Sequence, residues 1–129
     1  MIMKKLPGVK MRPYRKTSRR CWEIAWRFVD DNPDWTLVHG KLNLSAFLLG
    51  SMYANYDHAW AKRGDYIFDP NHNGFFSKKE WKEFRPKEIK TYSAYTASRE
   101  MLNPKHGKCH YGPWDAAFFV EETSMKKKK

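Results

Sequence analysis

No apolar run in this 129-residue chain approaches the roughly 20 residues needed to span a membrane. Its N-terminus shows no hydrophobic stretch of signal-peptide type. Cysteine is scarce: Cys21 and Cys109 are the only two. Such use speaks against a disulfide framework and fits a reducing compartment, so a cytoplasmic location is expected. A zinc site of Cys21, Cys109, His58 and His110 would lack close-spaced ligand pairs beyond the adjacent Cys109-His110. Neither metal nor other cofactor is therefore expected. Internal repeats are missing, and so is glutamine. Acidic residues are absent from positions 1–20, which carry eight Lys or Arg.

What is present is aromatic and, overall, basic. Aromatics make up 16% of the chain, with six Trp, which excludes a disordered protein. The net charge of +11 sits in the ends. Residues 126–129 add four Lys, whereas 21–124 hold 13 basic and 14 acidic residues, a balance of −1. The predicted organisation is a basic arm over 1–16, one domain over 17–124 and a basic tail over 125–129. Both ends are expected to contribute charge rather than fold, with weak nucleic-acid contact as their partner chemistry.

The segment TSRRCWEIAWRFVDDNPDW reads as a helix. Thr17 or Ser18 can cap it, and Trp22, Ala25, Trp26 and Val29 give a buried face. Asn32-Pro33 stops it. WTLVHG is a strand, and KLNLSAFLLGSMYAN is ambiguous. PNHNG is a loop, and SKKEWKEF is a short helix with a capping box at Ser77 and Glu80. EIKTYSAY holds a strand. TASREMLN is a helix ended by Asn103-Pro104, and KHGKCHYGPWD is a loop.

The stretch YDHAWAKRGDYIFDP reads as a hairpin turning at Arg63-Gly64. Pairing Lys62 with Asp65 sets Trp60 opposite Ile67 and His58 opposite Asp69, so imidazole and carboxylate share a face. A His–Asp pair in a sheet is as often structural as functional. Cys21 adds to it: near the helix start, backbone N–H groups and the helix dipole favour the thiolate. Its own N–H can serve as an oxyanion donor. The order is that of a thiol nucleophile, its base and the group orienting the base.

CWEIAW, then HAWAKRGDYIFDP, preceded by LVHG and followed by HYGPWD, resembles the transglutaminase-like branch of the papain-like fold over most of residues 20–115. There the motif runs Cys, then His-Ala-Trp-Val-Glu, then a strand ending in Asp-Pro. Small bacterial and phage proteins of this type share the late motif. The resemblance implies an α+β fold in which the nucleophile helix packs on a small antiparallel sheet. It also implies Cys21 as nucleophile, His58 as general base and acid, and Asp69 as orienter. Two departures stand out. Papain-like proteases use a glutamine upstream of the cysteine in the oxyanion hole, and this chain has none; Tyr14 or a backbone N–H is left to substitute. Lys62 stands where the motif has its glutamate.

The expected function is thiol-dependent hydrolysis or acyl transfer at an amide, ester or thioester, with a protein or peptide as substrate and no membrane partner. His39, Trp60, His110, Tyr111 and Trp114 form the candidate substrate-binding set. The alternative is a non-catalytic papain-like module that binds a protein or nucleic acid.

Overall fold

The structure is a computed structural model and describes residues 3–12, 14, 21–43, 55–116 and 118. It is an α+β arrangement of helices around one antiparallel sheet. In chain order the elements are α1 (Cys21–Asp31), β1 (Thr36–Asn43), β2 (Asn55–Arg63), β3 (Tyr66–Asp69), β4 (Gly74–Ser77), α2 (Lys78–Trp81), β5 (Lys87–Tyr92) and α3 (Ala94–Leu102). Strand order across the sheet is β4-β3-β2-β1-β5, antiparallel throughout.

The two faces of the sheet build two cores. Strand alternation sends Leu37, Ala59, Ala61 and Phe68 toward α1, where they pack with Ala25, Phe28, Val29 and Trp35. Phe28 stacks on Phe68 with ring centroids 4.0 Å apart. Val38, Leu42, Trp60 and Ile67 face the other way and meet Trp81 and Phe84 from α2 and the turn after it. Gly40 sits where that second core is tightest. A Cβ there would lie 2.2 Å from the Lys87 carbonyl oxygen and 2.7 Å from the Trp60 ring. Only glycine lets β5 and Trp60 close on β1 at this point.

Helix α1 ends as its sequence implies, but its buried stripe is rotated. Cys21, Ile24, Ala25, Trp26, Phe28 and Val29 are buried, and Trp22 lies on the flank. Asn32 then terminates the helix and ties down the arm. Its Nδ2 donates to the Lys10 carbonyl at 2.9 Å and to the Phe28 carbonyl at 3.0 Å, while Oδ1 accepts from the Lys10 N–H at 2.8 Å. The expected caps, Thr17 and Ser18, lie outside the described residues, as do 44–54 of the ambiguous segment and the tail lysines.

The expectation that the arm adds only charge is corrected by its contacts. Met3 bridges Phe75 through two backbone hydrogen bonds, extending the sheet beyond β4. Met3, Leu6, Val9, Met11 and Tyr14 pack against the α1-side core. Spaced apolar side chains among the lysines bury enough surface to hold the segment down. Strand β4 was not anticipated either. At four residues it is too short for period-two alternation to register. The capping box at Ser77 is present as expected.

Candidate active site

The hairpin that carries His58 turns one residue later than its sequence suggests. Gly64 and Asp65 form the turn, and the ladder runs Arg63 to Tyr66, Lys62 to Ile67 and Ala61 to Phe68. Gly64 takes φ +54°, the role glycine plays at the first central position of a tight hairpin turn. The expected pairs Lys62–Asp65 and His58–Asp69 are therefore not directly opposed. Lys62 reaches Glu88 instead, and Arg63 reaches Asp34. By the observed register Asp69 falls on the same face as His58 but on the diagonal, a separation long side chains can close. They do so: His58 Nε2 donates to Asp69 Oδ1 at 2.6 Å.

Strand pairing between β2 and β3 ends at Ala61 and Phe68. Here the start of α1 brings Cys21 to the imidazole. The thiol lies near enough to His58 to raise its pKa, both as a hydrogen-bonding and as a charged neighbour. His58 Nδ1 nevertheless makes no formed hydrogen bond among the described residues. Cys21 and His58 are thus neighbours without a formed hydrogen bond between them. Because Nε2–H is committed to Asp69, Nδ1 is the nitrogen left to exchange a proton with Cys21.

Two buried histidines show what the partners accomplish. His39 is 1% exposed, and neither ring nitrogen has a partner among the described residues. Burial alone drives its pKa down to about 3. His58 is 0% exposed. Burial again acts to lower its pKa, but Asp69 and Cys21 outweigh that, and the value is raised to about 9. Asp69 is likewise opposed by burial and held down to about 2 by His58 and His72. The site thus favours imidazolium over neutral imidazole at neutral pH.

These shifts predict a stability maximum. His58 has its folded pKa above the unfolded value of about 6.5. Its contribution is full below that value and is lost as pH rises through about 9. For His39 the folded pKa is lower, so its contribution is full above about 6.5 and is lost as pH falls toward about 3. Thermal unfolding across pH should peak near pH 6.5. Replacing His39 with leucine should flatten the acid side, and replacing His58 with glutamine the alkaline side. Unchanged slopes in both variants would contradict these assignments.

Asp69 has partners that sequence reasoning missed. His72 Nδ1 donates to Oδ2, and the Asn71 N–H donates to Oδ1 at 3.3 Å. The signal was the His three residues after Asp in DPNHNG. Tyr56 was missed too, although it stands two residues before His58 on the same strand face.

Cys21, His58 and Asp69 come together; the candidate substrate-binding residues do not join them. His39 projects from the opposite face of the sheet, since its neighbour Gly40 is the one paired with His58. There it is caged by Trp22, Tyr92, Trp114 and Gly112. Trp60 is fully buried behind His58, ring centroids 6.0 Å apart, and supports the imidazole from within the core. Neither is placed to touch a substrate. His110 is exposed and accepts from the Gly112 N–H, and Tyr111 packs on Trp26. Trp114 borders an open groove of about 820 Å³ with Tyr92 and His106, and none of the three candidate catalytic residues lines it. Tyr14 cannot complete an oxyanion hole, because it hydrogen-bonds Asp31 at the far end of α1 from Cys21.

Among the described residues, no group of three or more His, Cys, Asp or Glu side chains is arranged to hold a metal ion. Nor is any helix there long and apolar enough to cross a membrane. No family model, curated protein or solved structure matches the chain.

Proposed function

We propose that this chain is a thiol-dependent hydrolase or acyltransferase with a transglutaminase-like site, acting on an amide, ester or thioester of a peptide or protein. One observation carries the reading. His58 gives Nε2 to Asp69 and keeps Nδ1 unspent beside a thiol at the start of a helix. The neighbouring thiol is what sets this pair apart from a structural His–Asp contact.

The chemistry follows from that tautomer. Cys21 as thiolate attacks the carbonyl carbon, and the carbonyl electron pair moves onto oxygen. The backbone N–H of Cys21 is one donor for that oxyanion. Collapse expels the leaving amine, alcohol or thiol, which takes the proton from His58 Nδ1, and a thioester to Cys21 remains. Neutral His58 then removes a proton from water or an acceptor amine, which attacks the thioester and regenerates the thiolate. Asp69 stays ionised throughout and holds the ring.

The two cysteines supply the test. Cys109 is exposed and Cys21 is 7% exposed. Accessibility alone would make Cys109 react faster. An activated pair reverses the order, so Cys21 should be the site labelled first by electrophilic peptide probes and activated esters, read by intact mass and peptide mapping. Labelling confined to Cys109 in the folded protein would favour the non-catalytic binding module.

A further inference from the structure

The reading above leaves the oxyanion with one donor, and the chain has no glutamine to supply a second. Tyr56 is placed to do so. It precedes His58 by two residues on β2, so both side chains leave the same face of the strand. Their ring centroids are 5.6 Å apart at 56°. The Tyr56 ring packs against the core formed by Val38, Leu42, Trp60 and Ile67, which fixes its direction. Cys21, His58 and Asp69 are buried, whereas Tyr56 is half-buried. It is thus the member of the cluster that borders solvent.

The hydroxyl is also in the right state. Burial, then the negative neighbour Asp69, pushes its pKa up to about 12, with Cys21 adding to the effect. It therefore keeps its proton wherever the His58 pair is formed. Asn71 is a neighbour that acts to lower this pKa, less than burial and Asp69 raise it. The O–H itself remains available as a donor.

We propose that Tyr56 is a catalytic residue whose O–H, together with the Cys21 N–H, donates to the oxyanion formed when the Cys21 thiolate adds to the substrate carbonyl. The assignment rests on the Cys21–His58–Asp69 reading. As the Sγ–C bond forms, the C=O electron pair moves to oxygen and the Tyr56 hydrogen bond shortens onto it. On collapse the pair returns, the bond to the leaving group breaks, and that group takes its proton from His58. Tyr56 itself loses no proton.

Two reactions of Cys21 separate this role from others. Alkylation by iodoacetamide displaces iodide at a saturated carbon and forms no oxyanion. Acylation by p-nitrophenyl acetate passes through one. In Tyr56→Phe, alkylation of Cys21 should continue at the wild-type rate while acylation slows by about 10²-fold. Equal acylation rates in the two proteins would overturn the assignment. So would a parallel fall in alkylation, which would mean that Tyr56 supports the fold or the thiolate–imidazolium pair. Wild-type protein that alkylates but never acylates would sink the hydrolase reading and this assignment with it, and that outcome is visible without the variant.

Discussion

Cys21→Ala should abolish turnover, with a loss of roughly 10⁵-fold or more, while the protein stays folded. Removing a covalent nucleophile leaves only binding and oxyanion stabilisation, and in other hydrolases such losses approach 10⁶-fold. The cost to stability should be small, about 1 kcal/mol, because one sulfur leaves a buried position and the helix itself prefers alanine. A second readout distinguishes this from general damage. Cys21 is among the groups that raise the His58 pKa. Without it the folded His58 pKa falls, so the alkaline loss of stability should be smaller and end at lower pH than in the wild type. Cys21→Ser should behave similarly in turnover, since a serine hydroxyl has no comparable anionic fraction near neutral pH. Measurable turnover in Cys21→Ala on an ester cleaved by the wild type would end the thiol mechanism.

Much of the fold was legible because its signals are local. The Asn32-Pro33 stop, the capping box at Ser77 and the Asn103-Pro104 stop each depend on a few adjacent residues. What was illegible depends on partners distant in the chain. Nothing in MKKLPGVKM shows that Met3 will pair with Phe75 or that Lys10 will meet Asn32. The hairpin register failed by one residue because RG and GD are both acceptable two-residue turns. Both place Ile67 on the face of Trp60, so alternation cannot choose between them; the observed ladder pairs Ile67 with Lys62. His58 and Asp69 still met, because a one-residue shift of the turn displaces the opposed pair by two and so keeps both on one face.

The site shows the same division. That Cys21, His58 and Asp69 would meet was readable from order and spacing. His39 and Trp60 were not distinguishable by residue type from substrate-contacting groups. Burial, which the sequence does not print, decides against them. Conversely Tyr56 and His72 carry visible side chains at visible spacings. Their relevance appears only once the ends of β2 and β3 are placed together.

Asp69→Asn should leave the protein folded but slow turnover by about 10²–10⁴-fold, with substrate binding far less affected. Asp69 is 2% exposed and accepts from His58, His72 and the Asn71 N–H. Asparagine has one oxygen to offer where the carboxylate had two. If its NH₂ faces His58, the ring must accept there and carry its proton on Nδ1, the nitrogen that should receive one from the thiol. If its oxygen faces His58, the tautomer survives but the negative charge does not. Burial then lowers the His58 pKa with less to oppose it, as it does at His39. Either arrangement depletes the imidazolium, and the alkaline limb of activity should move below pH 9. His58→Ala should cost at least as much turnover, because it removes the proton carrier. Rates, pH profiles and melting temperatures of both variants on one ester substrate decide the matter. Near-normal turnover in both would reduce the pair to a buried structural contact between two strand ends.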